Sequence, residues 1–221
     1  LPGVEVSGND GRQGATARAH QLRHSTQLAV VAGGVGGVEN EGPAVLSRFP
    51  IVGSEIVALP RCANRLFPRV LLRVEVRTPH GPLDFYSTHT SRDDCQLRRV
   101  AELVGARRGP LPAIVAGDFN TRESADAYAE LLAAGFVDAF RAVNPSATGL
   151  TSRQDVYAAR PTVARRIDFV FVVPGGNSAP PVLESRVVLD IPRQRPDGTT
   201  LWPSDHYGVL AVIEIQTNGA D

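Results

Sequence analysis

No methionine and no lysine occur anywhere in the 221 residues, and cysteine and tryptophan are down to two and one. With lysine absent, all 23 basic residues are arginine, so any grip on a phosphate would come from planar guanidinium groups that bond in pairs. A compositional bias of the source genome explains the same pattern more simply. Neither sign of charge is in excess, since 23 basic residues balance 23 acidic ones. That balance excludes a bulk attraction to nucleic acid or to an anionic membrane, although a local basic face can hide within it. No apolar run approaches the ~20 residues of a membrane span. The lack of methionine, with Leu1 in first place, implies a natural N-terminus that lies outside this sequence. A Cys/His cluster is missing too, which argues against zinc. Cys62 and Cys95 leave two readings open: a loop-closing disulfide in a secreted protein, or two unrelated thiols in a cytoplasmic one.

What the chain does contain is sufficient for a core. Hydrophobic residues make up 43%, and no repeat, low-complexity stretch or linker divides the sequence, so one domain over residues 1–221, present as a monomer, is expected. Helical spacing appears over Gly14 to Leu28 and again after Cys95, where Leu97, Val100, Ala101 and Val104 share a face and Asp94 is placed to cap. A further helix should begin at Ser124 and stop at Gly135. Strand-like runs are Leu28 to Ala32, Ala44 to Ser47, Ile51 to Leu59, Arg69 to Arg77, Leu83 to Ser87, Ala113 to Ala116, Arg166 to Val173, Val182 to Leu189 and Gly208 to Ile215. Consecutive strands interrupted by helices predict two packed sheets flanked by helices.

Four short polar segments follow or touch these apolar runs: Ser87-Thr88-His89-Thr90, Gly117-Asp118-Phe119-Asn120, Arg166-Ile167-Asp168-Phe169 and Ser204-Asp205-His206. Strands that end in polar clusters deliver those side chains to one edge of a sheet, where a polar ligand is met without burying charge. Two histidines, three carboxylates and an amide gathered there could hold a divalent cation, move a proton and offset charge on phosphate oxygens. Asp118 and Asn120 alternate around Phe119, which on an extended segment puts both on one side; an Asx turn is the plainer alternative. His20, His24 and His80, on an expected helix or a Pro/Gly turn, are read as surface residues.

In combination the Gly-Asp-Phe-Asn and Ser-Asp-His segments resemble those of the endonuclease/exonuclease/phosphatase superfamily, and the resemblance runs from about Glu5 to Ile215. The stretch Glu41 to Ile51, with its Ser47-Arg48-Phe49-Pro50 turn, is similar to a strand and turn of that family. The resemblance implies an α/β (α+β) fold, a four-layer α/β sandwich of two packed mixed β-sheets with helices outside, whose first strand would precede Leu1. It also implies roles: Asp118 orients or deprotonates the attacking water, Asn120 fixes the water or the phosphate, His89 donates to a non-bridging oxygen, and Asp168 holds His206. Asp205 is implied as a metal ligand, and Glu5, in Val4-Glu5-Val6, is the candidate second ligand, with Glu39 and Glu41 in reserve. An oxygen-rich pair of this kind favours Mg²⁺, with Mn²⁺ or Ca²⁺ able to substitute.

The expected activity is metal-dependent hydrolysis of a phosphoester by in-line attack of water. A nuclease acting on DNA or RNA leads the substrate readings, with a sphingomyelinase or other phospholipid phosphodiesterase and a small-molecule phosphatase as alternatives. An Arg-lined groove would favour nucleic acid, and an apolar surface loop would favour lipid. From a different class, a binding module with a relic site fits a chain that lacks the family's first strand.

Overall fold

The computed structural model describes residues 29–32, 42–62, 68–92, 94–176 and 179–215. The helix expected over Gly14 to Leu28 and the glycine-rich loop after Ala32 lie outside them. In chain order the first strands are β1 (Ala29–Ala32), β2 (Ala44–Ser47), β3 (Ile51–Ala58), β4 (Val70–Thr78) and β5 (Gly81–His89). Helix α1 (Asp94–Gly105), β6 (Ala113–Asp118), α2 (Asp126–Ala133), β7 (Val137–Asp138) and α3 (Ala139–Val143) follow. The chain then forms β8 (Asp168–Val173), β9 (Val182–Val188), β10 (Arg193–Gln194), β11 (Thr200–Leu201) and β12 (Gly208–Ile213).

Six strands make the central mixed sheet, in the order β3-β4-β5-β6-β8-β7. Only β5 and β6 run parallel there, and α1 supplies the crossover that a parallel pair requires. Side-chain alternation sends each strand's apolar residues to two separate cores. Tyr86, Val115, Phe169 and Phe171 face α1 and α2, meeting Leu97, Val100, Val104, Tyr128 and Leu131. Phe85, Ile114, Ala116, Val170 and Val172 face the other way, against Val45 of β2 and Val209 and Ala211 of β12. Because β6 and β8 are covered on both sides, Ala-Ile-Val-Ala and Phe-Val-Phe-Val-Val are continuously apolar instead of alternating. A helix layer, the six-stranded sheet and a second layer of paired strands (β1-β2 and β9-β12) make up the expected sandwich as far as the described residues reach.

Two departures from the sequence reading have local causes. The helix after Ser124 starts at Asp126, with Ala125 at the cap position and no side-chain cap bond. The short β7, α3, β10 and β11 were not expected, since elements of two or five residues carry no readable period.

A buried ion cluster fastens the strand that delivers Asp168. Arg166 donates to both oxygens of Asp138, at 2.6 and 2.7 Å, and to Glu123 at 2.7 Å, while its guanidinium lies 4.5 Å from the Phe169 ring centroid. Tyr128 adds a hydroxyl donated to Asp138 at 2.8 Å. Arg166 is therefore a strut behind the site, occupied by carboxylates and unavailable to a ligand.

Cys62 and Cys95 form a disulfide, with Cα atoms 6.4 Å apart and a sequence separation of 33. It ties the turn after β3 to the first turn of α1, the pairing favoured in an oxidising compartment. Reducing it should cost about 3–4 kcal/mol of stability through the freed unfolded chain. Urea unfolding with and without reductant measures this, and thiol labelling of non-reduced protein tests the bridge itself; unchanged midpoints would show that the loop is not constrained.

Candidate active site

The ends of three adjacent strands build the site. His89 ends β5, Asp118 ends β6 and Asp168 begins β8, and the pairing register sets His89 opposite Asp118 and Asp118 opposite Asp168. Three residues far apart in sequence thus stand in a row across one sheet edge. The close approach of β5 and β6 depends on Gly117, which has φ +152° and no room for a Cβ, because that atom would overlap the Thr88 carbonyl oxygen. Glycine alone meets both conditions.

Beyond β6 the chain does not continue extended. Asn120 adopts φ +50°, a left-handed conformation that asparagine tolerates, and its N–H donates to Asp118 Oδ1 at 2.7 Å. Asp118 and Asn120 do end on one side, but through an Asx-type turn instead of strand alternation. The Asn120 amide donates to Asp118 Oδ2 at 3.1 Å and to the Thr90 carbonyl at 3.0 Å. Fully buried Phe119 anchors the turn from behind. Imidazole Nε2 of His89, the expected donor to a non-bridging phosphate oxygen, lies 3.4 Å from Asp118 Oδ2.

Asp205 and His206 occupy the bend before β12, as their adjacency requires. His206 Nδ1 sits 3.0 Å from Asp168 Oδ2, and its Nε2 is 3.0 Å from Ser152 Oγ. Asp168 also accepts a hydrogen bond from Thr151 Oγ1 at 2.5 Å. Burial works against the charged imidazolium, but the hydrogen bond to Asp168 and the charges of Asp168, Asp118 and Asp205 outweigh it and raise the pKa to about 9. At neutral pH the ring is a cation, so both of its nitrogens donate: one to Asp168, the other to Ser152. Thr151 and Ser152 escaped the sequence reading, since a Thr-Ser pair in a loop carries no distinguishing pattern.

Asp118, Asp168 and His206 offer ligand atoms within 4.8 Å of one another. Two carboxylates beside an imidazole suit a hard divalent cation, although Asp168 and His206 already satisfy each other. Asp205 is held more loosely, by exposed Arg153 at 3.5 Å, and is not one of these three grouped residues. Glu5, Glu39 and Glu41 lie outside the described residues. His80 is exposed.

A groove of about 310 Å³ opens beside Asn120, lined among others by Thr121, Arg92, Arg122 and Arg165. None of these three arginines forms an ion pair with a described residue, in contrast to Arg98, Arg141 and Arg166.

The model of the endonuclease/exonuclease/phosphatase family matches residues 4–206, and the chain belongs to that family of phosphoester hydrolases, which work with divalent metal. A family protein from Bacteroides thetaiotaomicron superposes with TM-score 0.68 at 21% identity, over 84% of this chain and 75% of that one. D. rerio TDP2 complexed with a single-strand DNA product gives 0.65 at 20%, over 85% and 77%. A mannosyl-6-phosphatase of B. thetaiotaomicron VPI-5482 gives 0.67 at 19%, again over 85% and 77%. These likenesses establish the fold. No curated protein sequence matches the chain.

Proposed function

We propose that the protein is a metal-dependent phosphodiesterase of the nuclease type. The observation that carries this reading is the groove beside Asn120, where Arg92, Arg122 and Arg165 have no acidic partner among the described residues. A phosphomonoester presents one phosphate to the catalytic groups, whereas a nucleic acid strand presents further phosphates on either side of the scissile bond. Arginines beyond the catalytic row suit those neighbours. The similarity to a fold seen with a DNA product is in keeping with this choice.

In this mechanism Asp118, with Asn120 steadying it, orients the attacking water and takes its proton. The His89 imidazole donates to a non-bridging phosphate oxygen. Asp168 and Thr151 hold the His206 ring, and the cationic ring offsets charge that develops on the phosphoryl oxygens or gives a proton to the leaving group. Asp205, with Glu5 as its proposed companion, would hold Mg²⁺ or a substitute such as Mn²⁺ or Ca²⁺. A bound divalent cation supplies Lewis-acid polarisation of the phosphoryl oxygens.

The test is a salt titration of activity on a single-stranded oligonucleotide. Arg122→Ala and Arg165→Ala should each raise KM and flatten the log–log salt dependence by ~0.7 per lost phosphate contact, leaving hydrolysis of a small phosphodiester chromogen at the parental rate. Unchanged salt dependence in both variants, or turnover of sugar monophosphates in place of strands, would overturn the nuclease reading.

A further inference from the structure

We propose that Tyr157 is a stacking platform for a nucleobase of a single-stranded substrate, set one loop away from the catalytic row. The inference rests on the phosphodiesterase reading and adds what the groove does not supply, contact with bases. Among the described Phe, Tyr and Trp residues, only Tyr157 is exposed, at 63%. Its exposure is not that of a loose loop. Trp202 donates its backbone N–H to the Val156 carbonyl at 2.9 Å and its indole N–H to the Ala158 carbonyl at 2.8 Å, so the residues on both sides of Tyr157 are pinned. The Tyr157 N–H itself donates to Asp155 Oδ1 at 3.0 Å. Trp202 is buried and stacks on Tyr207 at 5.6 Å, whose hydroxyl donates to Gln154 at 2.8 Å.

The same frame holds the catalytic bend. Gln154 N–H donates to the Asp205 carbonyl at 2.7 Å, and Ser152, where this loop begins, touches His206. The backbone that carries Tyr157 is therefore tied to the bend of Asp205 and His206 by a run of hydrogen bonds. Arg195, on the hairpin of β10 and β11, places its guanidinium 5.7 Å from the ring centroid. A cation at that position steadies the ring and attracts a phosphate-linked base, since an aromatic surface joined to arginine is the sequence-tolerant way to hold single strands. Exposed Arg153 and Arg160 stand on the same loop. Bases in a duplex are already stacked and offer no free face, so the platform selects unpaired strands. A backbone already held in place also leaves little but the Tyr157 side-chain torsions to be ordered when a base arrives.

The experiment compares a single-stranded oligonucleotide with an abasic strand of equal length and charge. Affinity is read by fluorescence anisotropy of labelled strands in EDTA, and KM and kcat with Mg²⁺. Wild type should bind the base-bearing strand more tightly than the abasic one. Tyr157→Ala should weaken that binding and raise KM about 5- to 100-fold while leaving the abasic strand unaffected, and Tyr157→Phe should restore the preference. Equal affinity of Tyr157→Ala and wild type for the base-bearing strand would overturn the platform. Cleavage of strands without that difference would overturn the platform and keep the phosphodiesterase reading; a base-dependent affinity without any cleavage would do the reverse.

Discussion

Turnover by a His206→Ala variant should fall by ~10²-fold or more, the scale of a lost proton donor or charge-stabilising group. The ring is held on both sides, by Asp168 at 3.0 Å and by Ser152 at 3.0 Å, and no other described imidazole reaches the same place, because His89 is engaged with Asp118. A second readout separates chemistry from folding. The native pKa of about 9 stands above the ordinary 6.5, so in metal-free protein the imidazolium contributes stability that is complete below pH 6.5. That contribution is lost as pH rises through 9. Wild-type stability should therefore decline over this interval, and the variant's should not. Parental turnover in the variant would remove His206 from the mechanism.

Chelation should abolish activity altogether, and Mg²⁺ should restore it. The carboxylates of Asp118 and Asp168 meet at one sheet edge beside His206, and the Asp205 charge also acts on that ring; a cation relieves repulsion among such carboxylates. Glu5→Gln should then shift the Mg²⁺ titration to higher concentration with little change in stability, and Asp205→Asn should do so more strongly. An enzyme fully active in EDTA would eliminate the metal. An unaltered titration in Glu5→Gln would move the second ligand to Glu39, Glu41 or Asp118.

Much of the sheet was legible because its period is simple. Ala44–Ser47 and the first six residues of Gly208 to Ile215 are strands as read, and Leu97, Val100 and Val104 bury the helix face their spacing defines. The candidate site was legible for another reason: His89, Asp118 and Asp168 lie at strand boundaries, where a polar residue beside an apolar run stands out. What escaped notice has no pattern of its own. Thr151 and Ser152 acquire a role only when their loop folds against Asp168 and His206, and Arg165 differs from Arg166 only in which side of the chain it meets. One lines the groove and the other is bound to Asp138. The Asp118-Asn120 pair was placed correctly on one side for a reason that did not hold, because a turn bond overrode strand alternation.

The long sequence separations within the catalytic row bear on how the chain becomes competent. Ser152 and His206 are 54 residues apart, and Asp168 and His206 are 38 apart, while His89 and Asp118 meet only through the parallel pairing that follows a helical crossover. Contacts of this kind close large loops before any compensation is gained, which slows folding. A nascent chain that has emerged as far as Asp168 carries most of the proposed machinery without being able to use it. On the proposed mechanism, hydrolysis would have to wait until the bend carrying His206 has docked against Asp168.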